Sequence, residues 1–319
     1  MKEITWYDVF LKNLYEKFPK KMRLVDELMQ LLSIEREATY RRLRKEVPFP
    51  IHEIVKIASE WNISLDEIVG IKSGIIHFQM QPINYLLPSK KEMTNLQKRV
   101  RVLEHIETAI DSDYMEVSNK LPRPLNIGFP ILYRFKIFNW AYLYNNERNI
   151  RFADIVIPEK IRKEFEAYLR IAKNITNTNF ILDQNVFDYI VTNVQYYHSI
   201  LLITDEEKEH IKKELHDLLD YMLEIANKGC YPETQKKVNI YISQLHVNTN
   251  YSYFYTKKLK VCRVHAFGKF DIASYDLRMV ENFKTWMNLK KRASMQISEV
   301  NERSRIEYFT KQRKIVDSL

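Results

Sequence analysis

Apolar residues in the first 70 positions recur at helical spacing and are interrupted at short intervals. Trp6, Val9, Phe10, Leu14 and Phe18 share one face of a helix that stops before Pro19. Leu24, Leu28, Leu31 and Leu32 form the stripe of a second helix, which Ser33 interrupts. A third is expected over residues 35–47, with Tyr40, Leu43 and Val47 facing inward at i, i+3 and i+7. Pro48 and Pro50 break it, and Pro50 suits the first turn of a fourth helix with the stripe Ile51, Ile54, Val55, Ala58 and Trp61. Ser64, with Glu67 at the capping-box position, opens a short fifth helix before Gly70. Residues 1–72 therefore read as a five-helix module.

The pattern then changes twice. Residues 73–112 read as an apolar connector and an amphipathic helix starting at Ser89, with Leu96, Leu103 and Ile110 seven apart and Met93 and Val100 beside them. Two heptads fall short of the three or four that compel a coiled coil. The stripe can serve a dimer or lie on its own domain. Beyond residue 112, helices fit 129–144, 158–174, 183–201, 204–229, 274–293 and 301–317. Thr204-x-x-Glu207 is a capping box, and Gly229 sits where a helix ends in the left-handed conformation. Residues 237–273 switch to period two (VNIYI, NYSYFYT, LKVCRVHAF), with NTN and FGK as turns. The expected fold is mainly α with an α+β C-terminal part: a helix-turn-helix module, then residues 113–319 as a helical domain with a small antiparallel sheet.

Composition narrows the function. Chain length (319 residues) and an apolar fraction of 45% suit two globular parts. Apolar runs are broken well before 18 positions, so no membrane span is expected. The N-terminal segment carries acids and no apolar core, unlike a secretory signal. Two cysteines, Cys230 and Cys262, make no disulfide framework and suit a reducing, cytoplasmic setting. The five glycines are scattered singly, so no GxGxxG, GxxxxGK[ST] or GxSxG can be assembled. That removes the common nucleotide loops and the nucleophile elbow.

The net charge of +9 is not evenly placed. Residues 1–70 hold twelve Lys and Arg against twelve Asp and Glu, yet positions 36–45 concentrate five cations against one acid. On the expected third helix the inward row leaves Arg36, Glu37, Ala38, Arg41, Arg42 and Lys45 outward. A helix in the major groove reads bases from its N-terminal residues and meets phosphates with flanking cations. Arginine suits both tasks through its bidentate fork.

The stretch ATYRRLRKEVPFPIHEIVKIASEWNISLDEIVG resembles helix-turn-helix regulators of the phage-repressor (Cro/XRE-like) class, over about residues 22–70. It departs from them in lacking the usual Gln at the start of the second and third helices, and in having Leu32-Ser33 where the turn customarily holds Gly. The resemblance implies a DNA-binding transcriptional regulator with Glu37, Ala38 and Arg42 facing bases and Arg36, Arg41 and Lys45 near phosphates. The implied DNA-contacting set is Arg36, Glu37, Ala38, Thr39, Arg41, Arg42 and Lys45. Double-stranded DNA is the expected partner, the chain a homodimer held by residues beyond the first module, and a small-molecule effector a further partner. The alternative is a protein-interaction protein that uses the same helices as a contact surface, with the C-terminal domain as its working part.

Other motifs are bland. Glu207-x-x-His210 has di-iron spacing, but no second ExxH exists. Cys262 and His265, three apart on an expected strand, fall on opposite faces, which argues against a nucleophile–base pair. The aromatic helix 129–144 (Phe129, Tyr133, Phe135, Phe138, Trp140, Tyr142) is expected to pack a core, the alternative being one wall of a small-molecule pocket. No catalytic residues, metal or cofactor are expected, and the chain is not read as an enzyme.

Overall fold

The computed structural model describes the chain apart from residues 1–4, 19–20, 62, 66–67, 69–75, 77, 81–83, 108, 145–149 and 267–269. It divides into two compact units, Met1–Ile75 and Ile76–Leu319.

In the first unit four helices are described: α1 (Trp6–Lys17), α2 (Lys21–Leu32), α3 (Arg36–Leu43) and α4 (Ile51–Trp61). The expected fifth helix falls mostly outside the described residues. Thr5 and Asp8 form a capping box on α1. Phe10, Leu14, Leu24, Leu28, Leu43, Ile54 and Ile57 form the core. Phe49, between the two prolines, is 3% exposed and meets Phe10 edge-on at 5.9 Å, while its amide donates to the Tyr7 hydroxyl at 3.0 Å. The segment that reads as a helix breaker is thus also an anchor.

Two helix ends depart from the sequence reading. Helix α3 stops at Leu43, not Val47. Lys45 takes the left-handed conformation (φ 65°), its amide donates to the Arg42 carbonyl at 3.1 Å, and the Glu46 amide donates to the Arg41 carbonyl at 2.9 Å. That is a Schellman cap with lysine where glycine is usual. Likewise Ser33 has φ 56° and donates its amide to the Met29 carbonyl at 2.9 Å, closing α2 with a single left-handed residue.

The second unit contains an eight-stranded sheet, not a small antiparallel one. Its strands are β1 (Gln79–Met80), β2 (Asp113–Ser118), β3 (Asn177–Asp183), β4 (Lys237–Ser243), β5 (Tyr251–Tyr255), β6 (Lys260–Ala266), β7 (Phe270–Ser274) and β8 (Ser294–Gln296). The order across the sheet is β1-β7-β6-β5-β2-β3-β4-β8. Strands β2, β3 and β4 are parallel, with Met115 opposite Asn179 and Asn179 opposite Asn239. Every other pairing is antiparallel. The segment containing NTN does not join neighbours. It carries the chain from β4 past β3 to the far side of β2.

Among the described residues eight α-helices complete this unit: α5 (Lys90–Glu107), α6 (Arg123–Asn126), α7 (Pro130–Tyr144), α8 (Glu159–Lys173), α9 (Val186–Ser199), α10 (Asp205–Lys228), α11 (Leu277–Arg292) and α12 (Glu302–Asp317). Helix α11 covers one face of the sheet through Val280, Phe283 and Met287, against Met115, Val117, Ile181 and Cys262. The opposite face carries the larger core, to which α5 and α7–α10 contribute together with Tyr308 and Phe309 of α12. Val100, Leu103 and Ile106 of α5 are buried in that core, and Ile110 lies beyond the helix end, 88% exposed. Most of the seven-residue stripe therefore serves its own domain, and the helix belongs to the second unit rather than to a linker. No helix among the described residues is long and apolar enough to cross a membrane.

Candidate nucleic-acid interface

Helix α3 has eight residues and follows α2 after the three-residue connection 33–35. Such a short connection is what a helix-turn-helix requires, and the left-handed Ser33 occupies the place of the customary glycine.

The phase of α3 differs from the expected one. Its buried residues are Thr39 and Leu43, while Tyr40 and Val47 are only half-buried. Thr39 is fully buried, and its hydroxyl donates to the Glu35 carbonyl at 3.1 Å. It is a core residue of the helix, not a base-facing one.

Arg42 also moves out of the outward row. Its Nε and Nη2 donate to the two oxygens of Glu53 on α4 at 2.7 and 2.8 Å, and Nη1 reaches the Ala38 carbonyl at 3.3 Å. The two side chains of the pair are 15% and 9% exposed. A bidentate, desolvated pair of this kind fixes α3 against α4, and the fork is not available to a guanine.

The remaining cations are exposed and loosely held. Arg36 pairs with Asp26 of α2 at 2.7 Å, Arg41 lies 3.7 Å from Glu46, and Arg44 donates to Glu37 at 2.8 Å. Lys45 is bonded to Asp8 of α1. The Lys45 hydrogen bond, with those from Thr5, holds the Asp8 carboxyl well below the usual carboxylate range. Exposed pairs contribute about 0–1 kcal/mol, so a phosphate can replace the carboxylate in any of them. Of the expected set, Arg36, Glu37, Arg41 and Lys45 are on the surface, Ala38 is half-buried, and Arg44 joins them.

The other sequence motifs do not converge. His216 meets Asp317 at 3.1 Å, and Glu207 is held by its cap and by Arg134 at 3.4 Å. The Cys262 sulfur faces the Ser274 carbonyl, burial pushing its thiol up to about 11, while His265 bonds Asp271. Among the described residues no cluster of His, Cys, Asp or Glu could hold a metal ion. In α7, Leu132, Tyr133, Phe135, Ile137, Phe138 and Ala141 are buried in the main core.

No family model, curated protein or solved structure matches the chain. Function must therefore be argued from the residues themselves. Sequence reasoning offered the aromatic helix as a pocket wall, and Tyr133 and Trp140 do line a cavity in the second unit, but it missed Arg123 and the charged residues from the sheet that complete the lining. No motif joins them, and only the sheet topology brings them together.

Proposed function

We propose that the chain is a sequence-specific DNA-binding transcriptional regulator that docks α3 in the major groove. The observation that carries this reading is the pair α2–α3. A three-residue turn with a left-handed Ser33 presents a short helix whose outer face holds Arg36, Glu37, Arg41 and Arg44. The side chains that suit base contact are those near its N-terminus, Glu37 and Ala38, with Arg36, Arg41, Arg44 and Lys45 placed for phosphates. A single short helix covers too few base pairs for a useful specificity ratio, so the active form is a homodimer on two half-sites, paired through the second unit.

The test is selection of bound sequences from random duplex DNA by the full-length protein. An enriched, two-fold motif is the expected result. Binding should weaken with salt at a log–log slope of about −0.9 per neutralised phosphate, and Arg41→Ala should reduce that slope by about one. Failure to bind any duplex at 50 mM salt (a roughly permissive condition for phosphate contacts) would favour a protein-contact role for the same surface.

A further inference from the structure

The face of the sheet opposite α11 is hydrophobic under α8–α10 but polar over its antiparallel half. Alternation along the strands turns Glu116 of β2, Ser252 of β5, Arg263 and His265 of β6 and Asp271 of β7 to the same side. Together with Arg123, Lys136, Trp140 and Tyr168 from the helices, they line a cavity of about 190 Å³. A smaller chamber of about 70 Å³ adjoins it and shares Arg123, Tyr168, Arg263 and Asp271.

The charges in this cavity do not balance. Asp271 accepts from Arg123 Nη2 at 3.0 Å and lies 3.1 Å from His265 Nδ1. Burial pushes its carboxyl up, but these two neighbours outweigh burial and hold it far below the ordinary range. Its charge is therefore already matched by Arg123. Glu116 accepts from the Tyr114 hydroxyl, and burial raises its carboxyl. Against this one remaining acid stand Lys136, Arg263 and Arg99, with Lys120 at the exposed rim. Lys136, Arg263 and Lys120 form no salt bridge among the described residues; Arg263 instead lies 5.0 Å over the Phe254 ring. Lys136 shares the cavity with Arg123, and burial together with that like charge pushes its ammonium down to about 8.

The neutral groups point the same way. The indole nitrogen of Trp140 is buried with no hydrogen-bond partner among the described residues. It can only donate. Tyr85, Trp140 and Tyr168 supply aromatic walls, Tyr85 and Trp140 meeting edge-to-face at 5.6 Å. Cations without a salt bridge, an unanswered donor and aromatic surface around one cavity are the features of a pocket for a charged ligand with an apolar body.

We propose that this cavity binds a small organic anion, a phosphate or carboxylate carried on a planar ring, with Lys136 and Arg263 on the charge and Trp140 and Tyr168 along the ring. Half-buried cations that form no salt bridge within the fold reduce its stability, which a bound anion would restore. The site stands whether or not the first unit binds DNA.

The experiment uses the full-length protein and follows heat by calorimetric titration, with melting temperature as a second readout. The probes are nucleoside 5′-monophosphates for the phosphate source and aromatic 2-oxoacids for the carboxylate source. Nucleosides and aromatic alcohols are the uncharged controls. Members of one charged set should bind and raise the melting temperature, and the controls should not. Lys136→Met and Arg263→Met should each weaken that binding at least tenfold, the scale of one charge-assisted hydrogen bond. Without ligand, Lys136→Met should melt no lower than the natural chain, because it removes an uncompensated charge. Three results would overturn the proposal: no binding by either charged set, equal binding by the uncharged controls, or affinity unchanged in both variants. A lower melting temperature for ligand-free Lys136→Met would mean that the ammonium is already satisfied within the fold, and would remove the argument for an external anion.

Discussion

Arg42 and its neighbours on α3 show how one turn of helix phase changes a residue's task. In a run such as YRRLRK each arginine looks equivalent, but Arg42 lies over Phe49 and grips Glu53 with both arms of its fork. Arg42→Ala is therefore expected to destabilise the first unit by about 3–5 kcal/mol, because it strands the buried Glu53 carboxylate. Chemical denaturation checks this, and Glu53→Gln in the Arg42→Ala background should recover part of the loss. A variant of unchanged stability with altered DNA preference would return Arg42 to the groove. Ser33 makes a second residue-scale case. At φ 56° a side chain is tolerated but unfavourable, so Ser33→Val should lower stability by roughly 1–2 kcal/mol while Ser33→Gly does not. The left-handed positions at Ser33 and Lys45 could not be read from the sequence, since neither is the glycine that normally marks them.

Elements with strong local signals were legible. Helix α10 begins at its Thr204–Glu207 box and ends at Gly229 with φ 67°, as the sequence indicates. Helices α8, α9, α11 and α12 also lie where periodicity places them. Strands β2 and β3 were not legible. Both are covered on their two faces, so DYMEVS and NTNFILD show no alternation, and each carries an acid or an asparagine that reads as loop. The missing parallel strands explain why the charged lining of the cavity was unforeseen, for it is assembled only when β2 lies beside β5. Helix α3 failed differently: over eight residues, with arginines on several sides, periodicity fixes neither the end nor the phase. Leu43 is nonetheless inward, 4% exposed. Leu43→Ala should cost about 2–5 kcal/mol and release amide protection in α1–α4 while leaving β2–β4 protected. Hydrogen exchange resolved by residue distinguishes this from global unfolding.

At the scale of the whole chain, the two units have separate cores, and their charges act differently. In the second unit the Lys136 ammonium faces Arg123, Lys120, Glu116 and Asp271. With its folded value pushed down to about 8 and an ordinary value of 10.5, the charged form is disfavoured by folding. Below pH 8 the folded and unfolded chains both carry the proton, and the full penalty applies. Between about 8 and 10.5 only the unfolded chain holds it, so this contribution to stability rises with pH. The melting temperature of Lys136→Met minus that of the natural chain should therefore shrink across that interval. A difference that stays constant from pH 7 to pH 10 (about the span of the two values) would show that Lys136 titrates normally.

The placement of β5 has a consequence for how the chain comes to be folded at all. Strand β2 needs β3 on one edge and β5 on the other, but β5 follows β4 in the chain. A ribosome delivering ~5–20 residues per second would take on the order of 10 s between releasing β2 and releasing β5. Throughout that interval Met115 and Val117 lie beside an unpaired edge on the face that α11, still later in the chain, will cover. Such an edge is a template for pairing with another nascent copy. The yield of this protein should therefore depend on chaperone supply more steeply than its thermal stability would suggest.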